Sequence, residues 1–203
     1  MMANIAVQFI LKGGPVMYPI LVCALVAVAV VGERAFWWLR ESSRRDPAKL
    51  EQILAALENG DVPAACKIAE GSPDPVIRMI RHGLDHVHTS LEGALELGAG
   101  IELERAGRFL WVMDTLVTLA PLLGLLGTVT GLMRAFLSVG SAELSVVSVT
   151  GGLGEALIAT ACGLGIAIFS VVPFNFFTGR MARLQFELEA AATNVEVMVH
   201  RSK

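Results

Sequence analysis

Cysteine is scarce in this chain: only Cys23, Cys66 and Cys162 occur among 203 residues, and no two of them stand in C-x-x-C spacing. That excludes a disulfide framework and leaves the three as packing residues. Charge is also thin, 17% of residues with a net of −3, and the basic residues are dispersed among acids, so nothing points to nucleic acid. No H-E-x-x-H, G-x-S-x-G, P-loop or G-x-G-x-x-G occurs. Of the histidines, His82 and His86 are four apart and could share a metal, but with no third ligand beside them they read as surface residues, as do His88 and His200. The expectation is therefore no enzyme, no catalytic residue, no bound metal and no cofactor.

What the chain has instead is apolar surface. Hydrophobic residues make up 54% and the mean hydropathy is +0.62, above the roughly 45–50% apolar content of soluble domains. Three runs, near 15–34, 113–136 and 155–177, are long enough to cross a hydrocarbon core, which takes about 20 helical residues. The first lacks a basic n-region and an evident cleavage site, so it is read as a retained span and not as a secretory signal. Positive charge collects on cytoplasmic flanks. Arg34, Arg40, Arg44, Arg45 and Lys49 follow the first run, Arg105 and Arg108 precede the second, and Arg180 and Arg183 follow the third, whereas the opposite flanks offer only Lys12. The expected fold is an all-α membrane protein with three transmembrane helices, long cytoplasmic helical extensions and an N-out/C-in orientation. Residues 1–40 hold the outer N-terminus and first span, 41–111 a cytoplasmic helical segment, 112–178 the second and third spans with a short outer loop, and 179–203 a cytoplasmic amphipathic helix.

The segment before the second span is punctuated by helix starts. Asp46-Pro47 is an N-cap with proline at N1, opening an apolar face of Leu50, Ile53, Leu54 and Leu57 that stops at Gly60. Asp61 opens a short helix to about Glu70, Asp74-Pro75 opens another, and Thr89-Ser-Leu-Glu92 has the spacing of a capping box. From there to Phe136 the only proline is Pro121, which predicts one long helix over 90–137 bent at that proline. Beyond the third span Met181, Leu184, Leu188, Ala191, Val195 and Met198 repeat at three- and four-residue steps, predicting an amphipathic tail packed on that rod.

Polar groups inside spans cost about 2.5–3.5 kcal/mol for a central charge on insertion scales, so each one needs a reason. Arg134 and Glu155 flank the outer loop at similar depth and suit an outer ion pair, or snorkelling of Arg134. Thr128 is six residues from Arg134 and Thr160 five from Glu155, which at about 1.5 Å per residue puts both threonines at nearly one depth. Either threonine alone would ordinarily bond its own preceding turn. Both stand on small-residue faces: Thr128 with Gly124 and Gly131, Thr160 with Ala156, Ala159, Gly163, Ala167 and Ser170, and Gly127-x-x-x-Gly131 is a further small-residue pair. Such stripes let helix backbones approach closely.

Residues 120–136, A-P-L-L-G-L-L-G-T-V-T-G-L-M-R-A-F, and 155–164, E-A-L-I-A-T-A-C-G-L, resemble the two signature spans of the MotA/TolQ/ExbB proton-channel family, on its TolQ/ExbB branch. The likeness covers roughly 100–178. It implies a homo-oligomer, a pentamer in the family, in the bacterial inner membrane, and a single-span partner like ExbD or TolR that carries an essential membrane aspartate. Matching residue by residue, it implies that Thr128 and Thr160 face the pore and that Glu155 is the span-three glutamate. Three positions depart from the pattern: Phe169 and not proline follows Ala167-Ile168, which moves the expected bend to Pro173, Thr130 replaces a common aromatic, and Arg134 a neutral polar residue. The function expected from this is an ion-driven motor subunit moving H+, or Na+, past a partner aspartate. The alternatives are a structural membrane scaffold without ion conduction and a sodium-driven stator-like subunit.

Overall fold

The computed structural model describes residues 14–139 and 146–201. Among them the regular structure is entirely helical: α1 Met17–Ser42, α2 Pro47–Glu58, α3 Val62–Ala69, α4 Pro75–Leu84, α5 Leu91–Gly107, α6 Leu110–Val139 and α7 Val146–Arg201. Three stretches, Met17–Ser42, Leu110–Leu137 and Thr150–Arg201, are long and apolar enough to span a membrane. The Lys12 flank and residues 140–145 of the expected outer loop lie outside the described residues.

The chain forms two compact units. One joins the described residues through Glu33 to Phe109–Phe176. Its interior is small: Met17 and Ile20 close on Ala159, and Cys23 and Ala27 on Leu116. Most large apolar side chains here point outward, among them Leu25, Leu122, Leu126, Met133 and Ile168. That inverted distribution is what a hydrocarbon surround permits, since lipid tails solvate leucine as well as a protein core does.

The second unit joins Arg34–Arg108 to the residues from Phe177 on. Each short helix starts where its cap dictates. Asp46 accepts from Lys49 N at 3.0 Å, Asp61 from Ala64 N at 2.9 Å and Asp74 from Val76 N at 2.9 Å, each followed by proline in the first turn. The expected capping box shifts by one residue: Ser90, and not Thr89, caps α5, with Oγ 3.3 Å from Gly93 N. Ile53, Leu57, Ile77, Ile80, Leu95, Leu188 and Val195 make a common core, so the amphipathic stripe of α7 packs as the periodicity predicts.

Two carboxylates, Glu41 and Glu102, are buried beside that core and hold partly exposed arginines. Arg78 of α4 binds Glu102 of α5, both carboxylate oxygens being engaged, and Glu41 of α1 at 3.0 Å. Glu102 also takes Arg105 at 2.8 Å, and Glu41 takes Arg44 at 3.3 Å. Burial opposes the charge on Arg78, but Glu102 and then Glu41 outweigh it and hold the guanidinium more firmly protonated than usual.

The continuous helix expected over 90–137 is broken. α5 stops at Gly107, Arg108 turns to ψ 130, and Phe109 adopts φ 65, a left-handed conformation unfavourable to a bulky residue. The cause is Arg34, only 1% exposed. Its Nη1 donates to the carbonyls of Arg105 and Ala106, each at 3.3 Å, the groups that residues 109 and 110 would engage if the helix ran on. Trp37 supports the guanidinium from 5.1 Å. Neither Pro121 nor Pro173 ends its helix.

Candidate functional site

The polar candidates of the first unit gather where α6 and α7 meet. The two helices run antiparallel, as the order of their contacts shows: Gly131 lies against Ala156, Gly127 against Ala159, Gly124 against Thr160, and Ala120 against Gly163. Glycine is required at these crossings. A Cβ at Gly124 would sit 3.0 Å from the Thr160 Cα, one at Gly131 2.9 Å from the Gly152 carbonyl oxygen, and one at Gly163 would run into the Ala120 carbonyl oxygen. By contrast Gly165, two residues on, has nothing within 4 Å. The small stripe is thus a seam at which two backbones touch.

That closeness decides what Thr160 can do. Its Oγ1 donates to the Gly124 carbonyl oxygen at 2.9 Å, across the seam and not back along α7. A bond of this kind forms only where the partner backbone lacks a side chain. The Thr128 hydroxyl takes the opposite option and donates to Leu125 in its own helix at 2.6 Å. Thr130 does the same toward Leu126 at 2.9 Å. Because Gly127 faces Ala159 and Gly124 faces Thr160, Thr128 and Thr160 differ in depth by two to four residues, roughly 3–6 Å. They do not bond each other; each hydroxyl keeps lone pairs that can accept.

At one end of the seam Arg134 Nη1 donates to Glu155 Oε1 at 2.6 Å. Glu155 has a further neighbour that the sequence reading missed. Gly14, at φ 70, packs so closely that a Cβ there would overlap the Glu155 carboxylate. The available signal in the sequence is the Gly-Gly-Pro run at 13–15. Ser170 on α7, part of the small stripe in the sequence, is fully buried and its hydroxyl lacks a hydrogen-bond partner among the described residues. Pro121, inside α6, follows Ala120, whose carbonyl meets Gly163.

No three His, Cys, Asp or Glu side chains converge to hold a metal among the described residues. His82 and His86 do meet, ring centroids 5.1 Å apart, but His86 Nδ1 lies 3.0 Å from the His82 carbonyl oxygen.

Comparison with known proteins bears on this seam. The model of the MotA/TolQ/ExbB proton channel family matches residues 72–190, which include all of α6 and the part of α7 that forms the seam. A putative ExbB-like biopolymer transport protein of Synechocystis sp. is 34% identical over 94% of this chain and 93% of its own length. The biopolymer transport protein ExbB of Neisseria gonorrhoeae is 38% identical over 47% of this chain and 46% of its own. The Tol-Pal system protein TolQ of Pseudomonas aeruginosa is 31% identical over 58% and 51%.

Proposed function

We propose that this chain, which belongs to the MotA/TolQ/ExbB proton channel family, is the ion-channel subunit of a motor that uses the proton-motive force to energise a partner reaching into the cell envelope. Its similarity to ExbB and TolQ makes it a multi-pass membrane subunit that energises transport and not an enzyme, and proteins of this kind work with ExbD- or TolR-type partners. The finer reading is that copies of the chain, five by family resemblance, form a ring in the inner membrane with the N-terminus outside. One or two single-span partner helices bearing a membrane aspartate would occupy the centre.

One observation carries this reading. The segments with the family signature, 120–136 and 155–164, are the two that meet backbone to backbone, and the meeting places a threonine hydroxyl on a carbonyl of the other helix. A hydroxyl held in this way offers its lone pairs at a fixed position to a hydrated proton or a sodium ion. Glu155 favours cations by its charge, but Arg134 shares that charge, so an arriving ion must compete with a guanidinium. In this mechanism the partner aspartate is loaded and discharged past Thr128 and Thr160, and each change of its charge alters the preferred setting of the central helices.

The scaffold reading draws on one specific fact: the Thr128 hydroxyl is spent on its own helix, as in any membrane span. Thr160 separates the two readings. In proteoliposomes holding the chain with its co-purified partner, Thr160→Val should leave assembly intact and reduce energised work to background, while Thr160→Ser restores it. Full work by the valine variant would remove the hydroxyl from the ion path and leave the scaffold. Collapse of the pH gradient or of the sodium gradient, one at a time, identifies the ion.

A further inference from the structure

Two surfaces of the second unit stand open among the described residues, a groove and a ridge. The groove, of about 480 Å³, lies between α5 and α7, which run side by side in opposite chain directions from the contact of Gly107 with the Met181 sulfur. Leu95, Ala99, Leu188 and Ala192 form its floor, and Glu92, Glu96, Glu189 and Glu196 its more exposed rim. No Lys, Arg or His lines it among the described residues. None of the four carboxylates is in an ion pair there; Glu189 accepts only from the neutral Gln185, at 2.8 Å. The ridge is on another face of α7. Arg183, Phe186, Ala190, Val197 and Arg201 recur at steps of three, four, seven and four residues, which at 3.6 residues per turn forms one stripe, opposite the buried face of Leu184, Leu188 and Val195. All five are exposed, Phe186 at 72% and Val197 at 52%. Neither arginine has an acid partner among the described residues.

We infer that the groove receives the ridge of a second copy of this chain, with Phe186 and Val197 over the apolar floor and the two arginines against the glutamate rim. This rests on the proposal that copies stand side by side in one membrane, and names the surfaces by which they meet. Charge selects the occupant. Four unpaired acids surround the apolar floor, and the ridge presents an apolar centre with a cation at each end, the apolar-core and polar-rim pattern of protein interfaces. The register agrees as well. Copies anchored in one membrane stand at one depth, so equal positions of α7 lie level. Arg183 and Arg201 then fall two and five residues outside the stretch 185–196 that lines the groove, about 3 and 8 Å beyond its ends, distances that an arginine and a glutamate side chain span together. A ridge set against another ridge at that depth would instead bring each arginine onto its own counterpart, which like charges oppose. Groove and ridge are different surfaces, so the contact is head-to-tail, and repeated about an axis normal to the membrane it closes a ring.

The test uses the full chain, its three native cysteines replaced by alanine, purified in mild detergent with whatever partner accompanies it. Gly100→Cys marks the groove, at a position with nothing within 4 Å of an added Cβ, and Ala190→Cys marks the ridge. A short bismaleimide should give a ladder of covalent oligomers from the chain carrying both cysteines, and monomers from either alone. Phe186→Ala should lower the ladder yield about tenfold and Arg201→Glu about fivefold, with Arg201→Glu/Glu196→Arg restoring it. Thermal melting should stay unchanged, since these side chains are exposed or half-buried within one copy. A crosslinked dimer from Ala190→Cys alone would show ridge on ridge and overturn the proposal. Capture of the co-purified partner by Gly100→Cys would overturn the second copy as occupant and give the groove to a partner segment. Native mass spectrometry of the same samples separates this contact from the ring itself: a ring without a ladder overturns the groove and ridge alone, whereas a monomer overturns both.

Discussion

The two units of this protein solve the same packing problem with opposite materials. In the unit built on Phe109–Phe176 the helices are joined by the absence of side chains: Gly124, Gly127, Gly131 and Gly163 bring backbones into contact, and the hydroxyls find carbonyls nearby. In the unit built on Arg34–Arg108 a conventional apolar core is framed by buried carboxylates paired with half-buried Arg78 and by aspartate caps. The difference follows from the solvent. Apolar burial gains nothing between helices already in hydrocarbon, so fit and hydrogen bonding must hold them; in water, burial supplies the drive and charged groups define the geometry.

The largest expected effect tests the polar half of this contrast. Arg78→Met leaves Glu102 and Glu41 buried with one fewer cation each, and thermal unfolding of the purified protein should report a loss of about 3 kcal/mol or more. A neutral outcome would show that Arg105 and Arg44 suffice. Next comes the seam. Gly163→Val forces a side chain onto the Ala120 carbonyl and should cost about 1–3 kcal/mol, read as lower yield of assembled complex in size-exclusion chromatography. Gly165→Ala, in open space on the same helix, should cost nothing there, and equal damage from both would end the argument that the seam is a close-contact surface.

A smaller loss is expected from Asp74→Ala. Asp74 caps α4 and also accepts from the backbone N–H of Asp46 at 2.9 Å, so about 1–2 kcal/mol should disappear from the unfolding free energy. The smallest effect is chemical. Burial, then the nearby Asp85, push the Cys66 thiol above its ordinary pKa, with Arg81 pulling weakly the other way. The folded unit therefore holds that proton longer than the unfolded chain does. Stability is unaffected at neutral pH and declines once alkaline pH ionises the unfolded thiol. Alkylation of Cys66 should accordingly begin at higher pH in the native protein than after denaturation, and coincident profiles would contradict the shift.

Much of the architecture could be read from local pattern. Asp-Pro pairs announce helix starts because the carboxylate satisfies an amide and proline needs none, and Asp46, Asp61 and Asp74 cap as expected. The break at Phe109 could not be read, because its cause is Arg34, about seventy residues earlier, reaching two carbonyls. The Ser90 cap differs from the capping-box reading by one residue because Ser90 itself reaches Gly93 N. The contact of Gly14 with Glu155 joins residues far apart in the chain and has no local signature.

What the sequence determined by itself is the set of properties that depend on near neighbours or on composition: three apolar runs long enough to span, the amphipathic stripe of α7, and the small-residue faces holding Thr128 and Thr160. The tertiary structure alone decided which polar groups meet. That Thr160 turns to Gly124 while Thr128 turns back on Leu125, and that Arg34 ends α5, depends on backbones brought together from distant parts of the chain. A hydrogen bond is fixed by where its acceptor stands within about 3 Å, and no periodicity along one strand of sequence encodes that distance.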